Sequence, residues 1–159
     1  MKKILLLLCV FLLSAVVVPA QDAGQPAGYM GLRFEDLKWQ PVVPELGKDS
    51  PLIAIARVDP KTKATQLFIR TPTAIHVPAH WHHANETHTL IRGSAVFEHD
   101  GQLQRIGVSG FNYVPAKMAH QAWLSAGSLT FITVDGGWDV NWVKGPPTKA
   151  DLNQALPGK

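Results

Sequence analysis

Five of the seven histidines of this chain fall within thirteen residues, and the imidazole ring is the commonest metal ligand among protein side chains. The five are His76, His80, His82, His83 and His88. Side chains of an extended strand alternate between its two faces, so His80 and His82 share a face and can offer two imidazoles to one ion. Glu86 follows three residues after His83 and opens the next strand, where its carboxylate could reach the same ion across the turn.

Two further histidines could join this cluster. His120 comes much later, after the turn at 114–117 and at the head of another predicted strand, so folding into a barrel could bring it to the same point. His88 shares its strand face with Glu86, and we expect it either to line the cavity as a proton-transfer residue or to pack as a barrel histidine. His76 has the parity of His80, with the same two alternatives.

The remaining aromatic and polar candidates carry weaker signals. We expect His83, in a turn, and His99, beside a turn, to face solvent. Arg92 and Tyr113 are candidate substrate contacts that no sequence feature confirms. Tryptophan most often packs in a core or at a subunit contact, and this is the role we expect for Trp81, Trp123, Trp138 and Trp142.

The elements that must position these residues are short strands. Apolar and β-branched runs recur at 52–58, 64–71, 87–92, 94–99, 103–108, 111–114, 121–124, 129–134 and 138–143, with turn-forming residues between them. We also expect a strand at 34–39. Asp100-Gly101 predicts a two-residue type I′ hairpin turn that pairs 94–99 with 102–108. Such regularly spaced strands indicate an all-β sandwich or barrel.

The histidine segment resembles the first signature of the cupin superfamily. The signature reads Gly-x5-His-x-His-x3/4-Glu-x6-Gly, and here Ala74 stands at its first position, with His80, His82, Glu86 and Gly93 at the others. Pro115-x-Lys117-x2-His120 resembles the second signature, Pro-x-Gly-x2-His-x3-Asn, with Lys117 in place of its glycine and Leu124 in place of its asparagine. The two signatures span 74–124 of the chain.

This resemblance implies a double-stranded β-helix, the cupin jelly-roll barrel, at 51–143. An N-terminal arm at 21–50 precedes it and a short peripheral C-terminal tail at 144–159 follows it. The resemblance also implies that His80, His82, Glu86 and His120 hold one divalent transition metal, and that the protein is a homodimer. A metal-free cupin, solvated surface histidines and a structural zinc site are the alternatives.

Three neutral imidazoles and one carboxylate suit Fe(II), Mn, Ni, Zn or Cu, and would not select calcium or magnesium. If the ion is octahedral, four protein ligands leave two positions open for water, dioxygen or a substrate with two neighbouring oxygens. The ligand set does not choose among the metals.

The first twenty residues have the pattern of a secretory signal peptide. Lys2 and Lys3 precede an apolar run at 4–18, and Val18-Pro19-Ala20 suits cleavage before Gln21. An uncleaved membrane anchor is the alternative. Cleavage would remove Cys9, the single cysteine, and with it thiol catalysis and thiolate ligation. We therefore expect a secreted or periplasmic protein that is not held at a membrane once the signal is removed.

Length and charge narrow the functional classes further. The chain has 159 residues, which suits one domain, and 46% of them are hydrophobic, which suits a folded core. The formal net charge is +3, from 15 basic and 12 acidic residues, without a cluster of Lys or Arg, so we expect no nucleic-acid partner.

Two functions are compatible with this sequence. The first is a metal-dependent enzyme acting on a small oxygenated molecule, for which the resemblance allows dioxygenase, isomerase or lyase chemistry. The second is a non-catalytic module that binds a small ligand, such as a sugar or a metal-chelating metabolite. A shared fold does not fix the reaction, so both hypotheses stay open here.

Overall fold

The computed structural model describes residues 28–158, and these residues form two antiparallel sheets. The strands are β1 (Gln40–Pro41), β2 (Leu52–Val58), β3 (Thr65–Thr71), β4 (Ile75–Trp81), β5 (Glu86–Arg92), β6 (Ala95–His99), β7 (Gln102–Ile106), β8 (Phe111–Val114), β9 (His120–Leu124), β10 (Ser128–Val134) and β11 (Asn141–Trp142). Short 3₁₀ helices lie at Phe34–Asp36, Pro44–Asp49 and Lys149–Asp151. In this part of the chain, no helix is long and apolar enough to cross a membrane.

The two sheets enclose a common core. One sheet has the order β1-β2-β3-β10-β5-β8 and the other β11-β4-β9-β6-β7. Leu90 of the first sheet packs in one buried cluster with Ile75, Phe97 and Ala122 of the second. Because alternate side chains of each strand point inward, the interior receives side chains from both sheets. This arrangement confirms the predicted all-β jelly-roll barrel.

The predicted Asp100-Gly101 hairpin is confirmed. Strands β6 and β7 pair in a register that places His99 opposite Gln102 and Ala95 opposite Ile106. Asp100 has φ 49° and Gly101 has φ 76°, the positive values that a type I′ turn requires at both central positions.

Other strand predictions need correction. The expected strand at 34–39 is instead a 3₁₀ helix at Phe34–Asp36 followed by extended chain, and the expected strand at 138–143 is reduced to Asn141–Trp142. An extended strand at His80 and His82 was expected without bounds, and β4 ends at Trp81, one residue before His82. No apolar run marks this strand because Pro78 interrupts it and Pro is a poor strand residue. The strand survives because β4 is paired irregularly with β9 between Val77 and His80.

Both terminal segments pack on the barrel. From the N-terminal arm, Val43 and Leu46 are buried in the core cluster. The tail at 144–158 is less peripheral than expected, since Pro147 is buried and Leu152 bridges to Ile75. A hydrogen bond fastens it, with His76 Nδ1 3.0 Å from Asp151 Oδ1.

The predicted signal peptide, Cys9 and the first residues of the arm lie outside the described residues. The structure therefore has no bearing on cleavage before Gln21.

A side chain at Gly93, in the turn between β5 and β6, should destabilise the fold. Its φ is +89°, and a Cβ there would lie 2.8 Å from the Cβ and 2.9 Å from the Cα of Ser128. We expect Gly93→Ala to lower the free energy of unfolding by about 2–5 kcal/mol, because the strained φ and the clash with backbone add together. Urea denaturation measures this loss.

The matched control is Gly101→Ala. Gly101 has φ +76°, but a Cβ at this position would have no other atom within 4 Å, so only the conformational cost, about 1–2 kcal/mol, should remain. Equal losses for the two variants would show that close packing at Gly93 contributes nothing.

Candidate metal centre

Three of the predicted ligands come together inside the barrel. His80 lies near the end of β4 and is paired directly with His120 at the start of β9, and His82 follows β4. One ring nitrogen from each of the three lies within 4.8 Å of those of the other two. All three residues are buried, with exposed fractions of 7%, 4% and 3% for His80, His120 and His82.

Backbone carbonyls orient each of these rings. Nδ1 of His80 donates to the carbonyl of Pro78 at 2.7 Å, Nδ1 of His120 donates to that of Met118 at 3.1 Å, and Nδ1 of His82 donates to that of Asp139. A carbonyl oxygen only accepts, so each Nδ1 carries the hydrogen and each neutral ring keeps a lone pair on Nε2. This is how histidines that bind metals are usually held.

Glu86, the fourth predicted ligand, stands at the start of β5 and is buried beside this cluster. Its Oε1 accepts a hydrogen bond from Trp138 Nε1 at 3.1 Å, and its Oε2 lies 3.0 Å from His82 Nε2 and 3.2 Å from His88 Nε2. In the neutral His82 tautomer, Nε2 is a buried atom without a hydrogen-bond donor facing it. A lone pair so close to a carboxylate oxygen requires a cation between them, either a proton or a metal ion.

The donor set fits a transition metal. Three imidazole nitrogens and one carboxylate oxygen are the ligand types that such metals prefer.

Electrostatics keep two of the histidines neutral. Burial, followed by the neighbouring His120 and His82 rings, lowers the pKa of His80 to about 3. Burial likewise lowers the pKa of His120 to about 4, although the hydrogen bond to the Met118 carbonyl opposes it. Both rings are therefore unprotonated near neutral pH and their Nε2 lone pairs are available to a metal.

His82 and Glu86 behave differently because they face each other. Burial works against the charged form of His82, but the Glu86 carboxylate outweighs it and the pKa of His82 is raised. Burial also opposes ionisation of Glu86, yet the His88 and His82 rings hold the pKa of Glu86 well below its usual value. The facing pair therefore favours a positive charge between His82 Nε2 and Glu86 Oε2.

His88 lines the same cavity, as we expected for a proton-transfer residue. It is buried, packs against Phe97 at a ring separation of 4.8 Å and lies 3.5 Å from the Asn112 amide. Its Nε2 contacts Glu86 Oε2, so it is placed to exchange a proton with the site.

The other three candidate histidines lie outside this cluster. His76 points away from the cluster and stacks on Trp123 at 4.5 Å. His83 is exposed and contacts the Asp139 carboxylate, and His99 is partly exposed and contacts the Ala119 carbonyl.

The two suggested substrate contacts are also outside the cavity. Arg92 Nε donates to the carbonyl of Gly127 on the surface, and Tyr113 is half exposed on the edge strand β8. Neither side chain lines the cavity that contains the histidines.

Sequence reasoning missed the functional position of two tryptophans. Trp138 donates to Glu86, and the Trp142 ring lies 5.2 Å from that of His80, and both line the cavity. We expected core or subunit packing for them. Nothing in their local sequence distinguishes these positions, because each reaches the site from a segment more than 50 residues further along the chain.

The cavity around the four predicted ligands has a volume of about 80 Å³. Its wall includes residues of the arm, of both sheets and of the tail, for example Val43, Ile132 and Pro147. This is the volume of only a few water molecules, at about 30 Å³ each, so the enclosed space admits a group of a few heavy atoms.

Comparisons with known proteins relate this chain to others through structure. No protein-family model matches it, and no curated protein matches it. An RmlC-like cupin from Shewanella frigidimarina is similar with a TM-score of 0.56 and 12% identity, over 67% of this chain and 90% of that one.

Two other similar structures are those of proteins named for an activity. A putative acetylacetone dioxygenase from Methylibium petroleiphilum has a TM-score of 0.58 and 16% identity, over 78% of this chain and 89% of that one. Oxalate decarboxylase from Bacillus subtilis has a TM-score of 0.54 and 20% identity, over 71% of this chain and 30% of that one. At such identities the likeness is one of fold.

Proposed function

Because this chain has the double-stranded β-helix fold of the cupins, we propose that it is a metal-dependent enzyme that acts on a small oxygenated molecule. Dioxygenase-like chemistry is our first candidate reaction, and isomerase or lyase chemistry is the second. The observation that carries the proposal is the convergence of three buried, carbonyl-oriented histidines beside the buried Glu86 carboxylate.

His80, His82, Glu86 and His120 would hold one divalent ion, with Fe(II), Mn, Ni, Zn and Cu all compatible. When bound, such an ion supplies Lewis acidity and open positions for a substrate with two neighbouring oxygens. Trp138 fixes the Glu86 carboxylate through its Nε1 hydrogen. His88 Nε2, which contacts Glu86 Oε2, is the side chain that we assign to accept or donate a proton at the bound molecule.

The similar structures support a catalytic role without specifying the reaction. One is a putative acetylacetone dioxygenase and another is oxalate decarboxylase, so the names given to proteins of this fold include enzymes with different chemistry. The second candidate function is a non-catalytic module for a sugar or a metal-chelating metabolite, in which the same histidine cluster would hold the ligand through its metal without turnover.

We further propose that the protein is exported to the periplasm or the medium, and that it forms a homodimer. The basic and apolar pattern of residues 1–20 supports export. Determination of the N-terminal residue of the protein from a native host tests cleavage before Gln21.

Elemental analysis followed by oxygen uptake tests the proposed enzyme. Protein prepared without chelators should carry about one equivalent of a transition metal, and it should consume oxygen in the presence of catechols or enediols. Less than half an equivalent of every transition metal would contradict the metal site. A full equivalent without turnover of any substrate would favour the binding module.

A further inference from the structure

The wall of the cavity differs in character from the metal site it surrounds. Beyond the four predicted ligands, the polar groups of its side chains are those of His88 and Thr130 and the indole N–H groups of Trp138 and Trp142. The rest is mainly aliphatic and aromatic, with Val77, Phe97, Ile132, Trp138, Val140 and Trp142 as examples. Among the described residues, neither lysine nor arginine lines this cavity.

This wall disfavours molecules with a second charged or strongly hydrated group. A carboxylate or phosphate away from the metal would lose its water and find no cationic side chain in return. The hydroxyl groups of a sugar would meet mainly Thr130 and His88, so most would lose hydrogen bonds. A hydrocarbon surface, in contrast, gains free energy when it leaves water for such a wall.

We propose that the molecule recognised here is a small bidentate oxygen chelator that has a hydrocarbon remainder without a further charged group. This inference rests on the proposed metal centre and specifies its substrate class. Catechols with alkyl substituents belong to this class. Sugar acids and dicarboxylates are outside it.

Calorimetric binding of two catechols tests the proposal without turnover. The pair is 4-methylcatechol and 3,4-dihydroxybenzoate, which share the chelating group and differ in a methyl group against a carboxylate. Zinc-loaded protein is used because zinc has no redox chemistry. We expect 4-methylcatechol to bind at least tenfold more tightly than 3,4-dihydroxybenzoate. The same titration with free zinc ion should give a much smaller preference.

Matched variants connect this preference to the cavity wall. Val140 is buried in the wall, and Val140→Thr, which keeps its shape but adds a hydroxyl, should reduce the preference by about threefold or more. Val143 is half exposed and does not line the cavity, so Val143→Thr should leave the preference unchanged.

The outcomes separate this inference from the proposed function. The metal-free protein is first titrated with zinc. Failure to bind about one equivalent in that titration would overturn the metal centre. Normal zinc binding with equal affinity for the two catechols, or tighter binding of the carboxylate, would overturn the proposed substrate class and leave the metal centre intact.

Discussion

Replacing His120 by alanine should reduce the bound metal from about one equivalent to less than one tenth of an equivalent. His120 supplies one of three buried ring nitrogens within 4.8 Å of one another, and its removal takes away a direct ligand. Loss of a residue that only orients a ligand already costs about 10- to 100-fold in metal affinity, so a direct ligand should cost more. Elemental analysis after dialysis, with a competition titration for Kd, measures the loss.

Exposed histidines provide the controls for this experiment. The side chain of His83 is 62% exposed and that of His99 is 40% exposed, and neither faces the cluster. His83→Ala and His99→Ala should keep near-normal metal content, while His82→Ala should behave as His120→Ala does. Circular dichroism identifies a variant that has not folded. Equal loss in all four variants would contradict the assignment.

The metal-free protein should lose on the order of 4 kcal/mol of unfolding free energy as the pH falls from 7 to 4.5, given that each pKa unit corresponds to about 1.4 kcal/mol. The cause is the low pKa of His80, about 3, and of His120, about 4. In the unfolded chain both rings have a pKa of about 6.5 and take up protons in this range. Since the unfolded state binds more protons than the folded state in this range, the free energy of unfolding decreases as the pH is lowered.

Two other groups modify this pH dependence without reversing it. The raised pKa of His82 stabilises the fold below about pH 6.5, and this contribution is lost as the pH rises through the folded value, so it offsets part of the loss. The lowered pKa of Glu86 stabilises the fold above about pH 4.3, and this contribution falls away at lower pH, outside the interval considered.

Urea denaturation at several pH values in the presence of a chelator measures the effect. His80→Asn should flatten the dependence by about half, because one of the two buried imidazoles is gone. His99→Asn, at a partly exposed position, should leave the slope as it is. An unfolding free energy that stays constant between pH 7 and 4.5 would show that the two buried rings are protonated as easily as free histidine.

Much of the fold could be predicted because its signals are local. Alternating apolar residues and turn-forming pairs identified most strands, and Asp100-Gly101 identified one hairpin together with its register. Strand β4 escaped this reasoning because a proline inside an apolar run normally argues against a strand. Its partners β9 and β11 stabilise it nevertheless.

The C-terminal tail illustrates a contact that local patterns do not encode. Residues 144–158 contain few large apolar side chains, and this composition suggested a peripheral segment. In the structure, the His76 and Asp151 pair fastens the tail, and Pro147 reaches the cavity wall. The pairing depends on a histidine 75 residues earlier in the chain.

By itself, the sequence determined the strand-rich fold class and the likeness of 74–124 to the cupin signatures. Both depend on residue spacings within a short segment, where strand geometry relates spacing directly to direction. Only the tertiary structure decided that His120 lies directly across from His80, that Trp138 holds Glu86, and that the cavity wall is apolar. These features join segments 40 or more residues apart, and strand pairing between two sheets, rather than any local pattern, selects which of them meet.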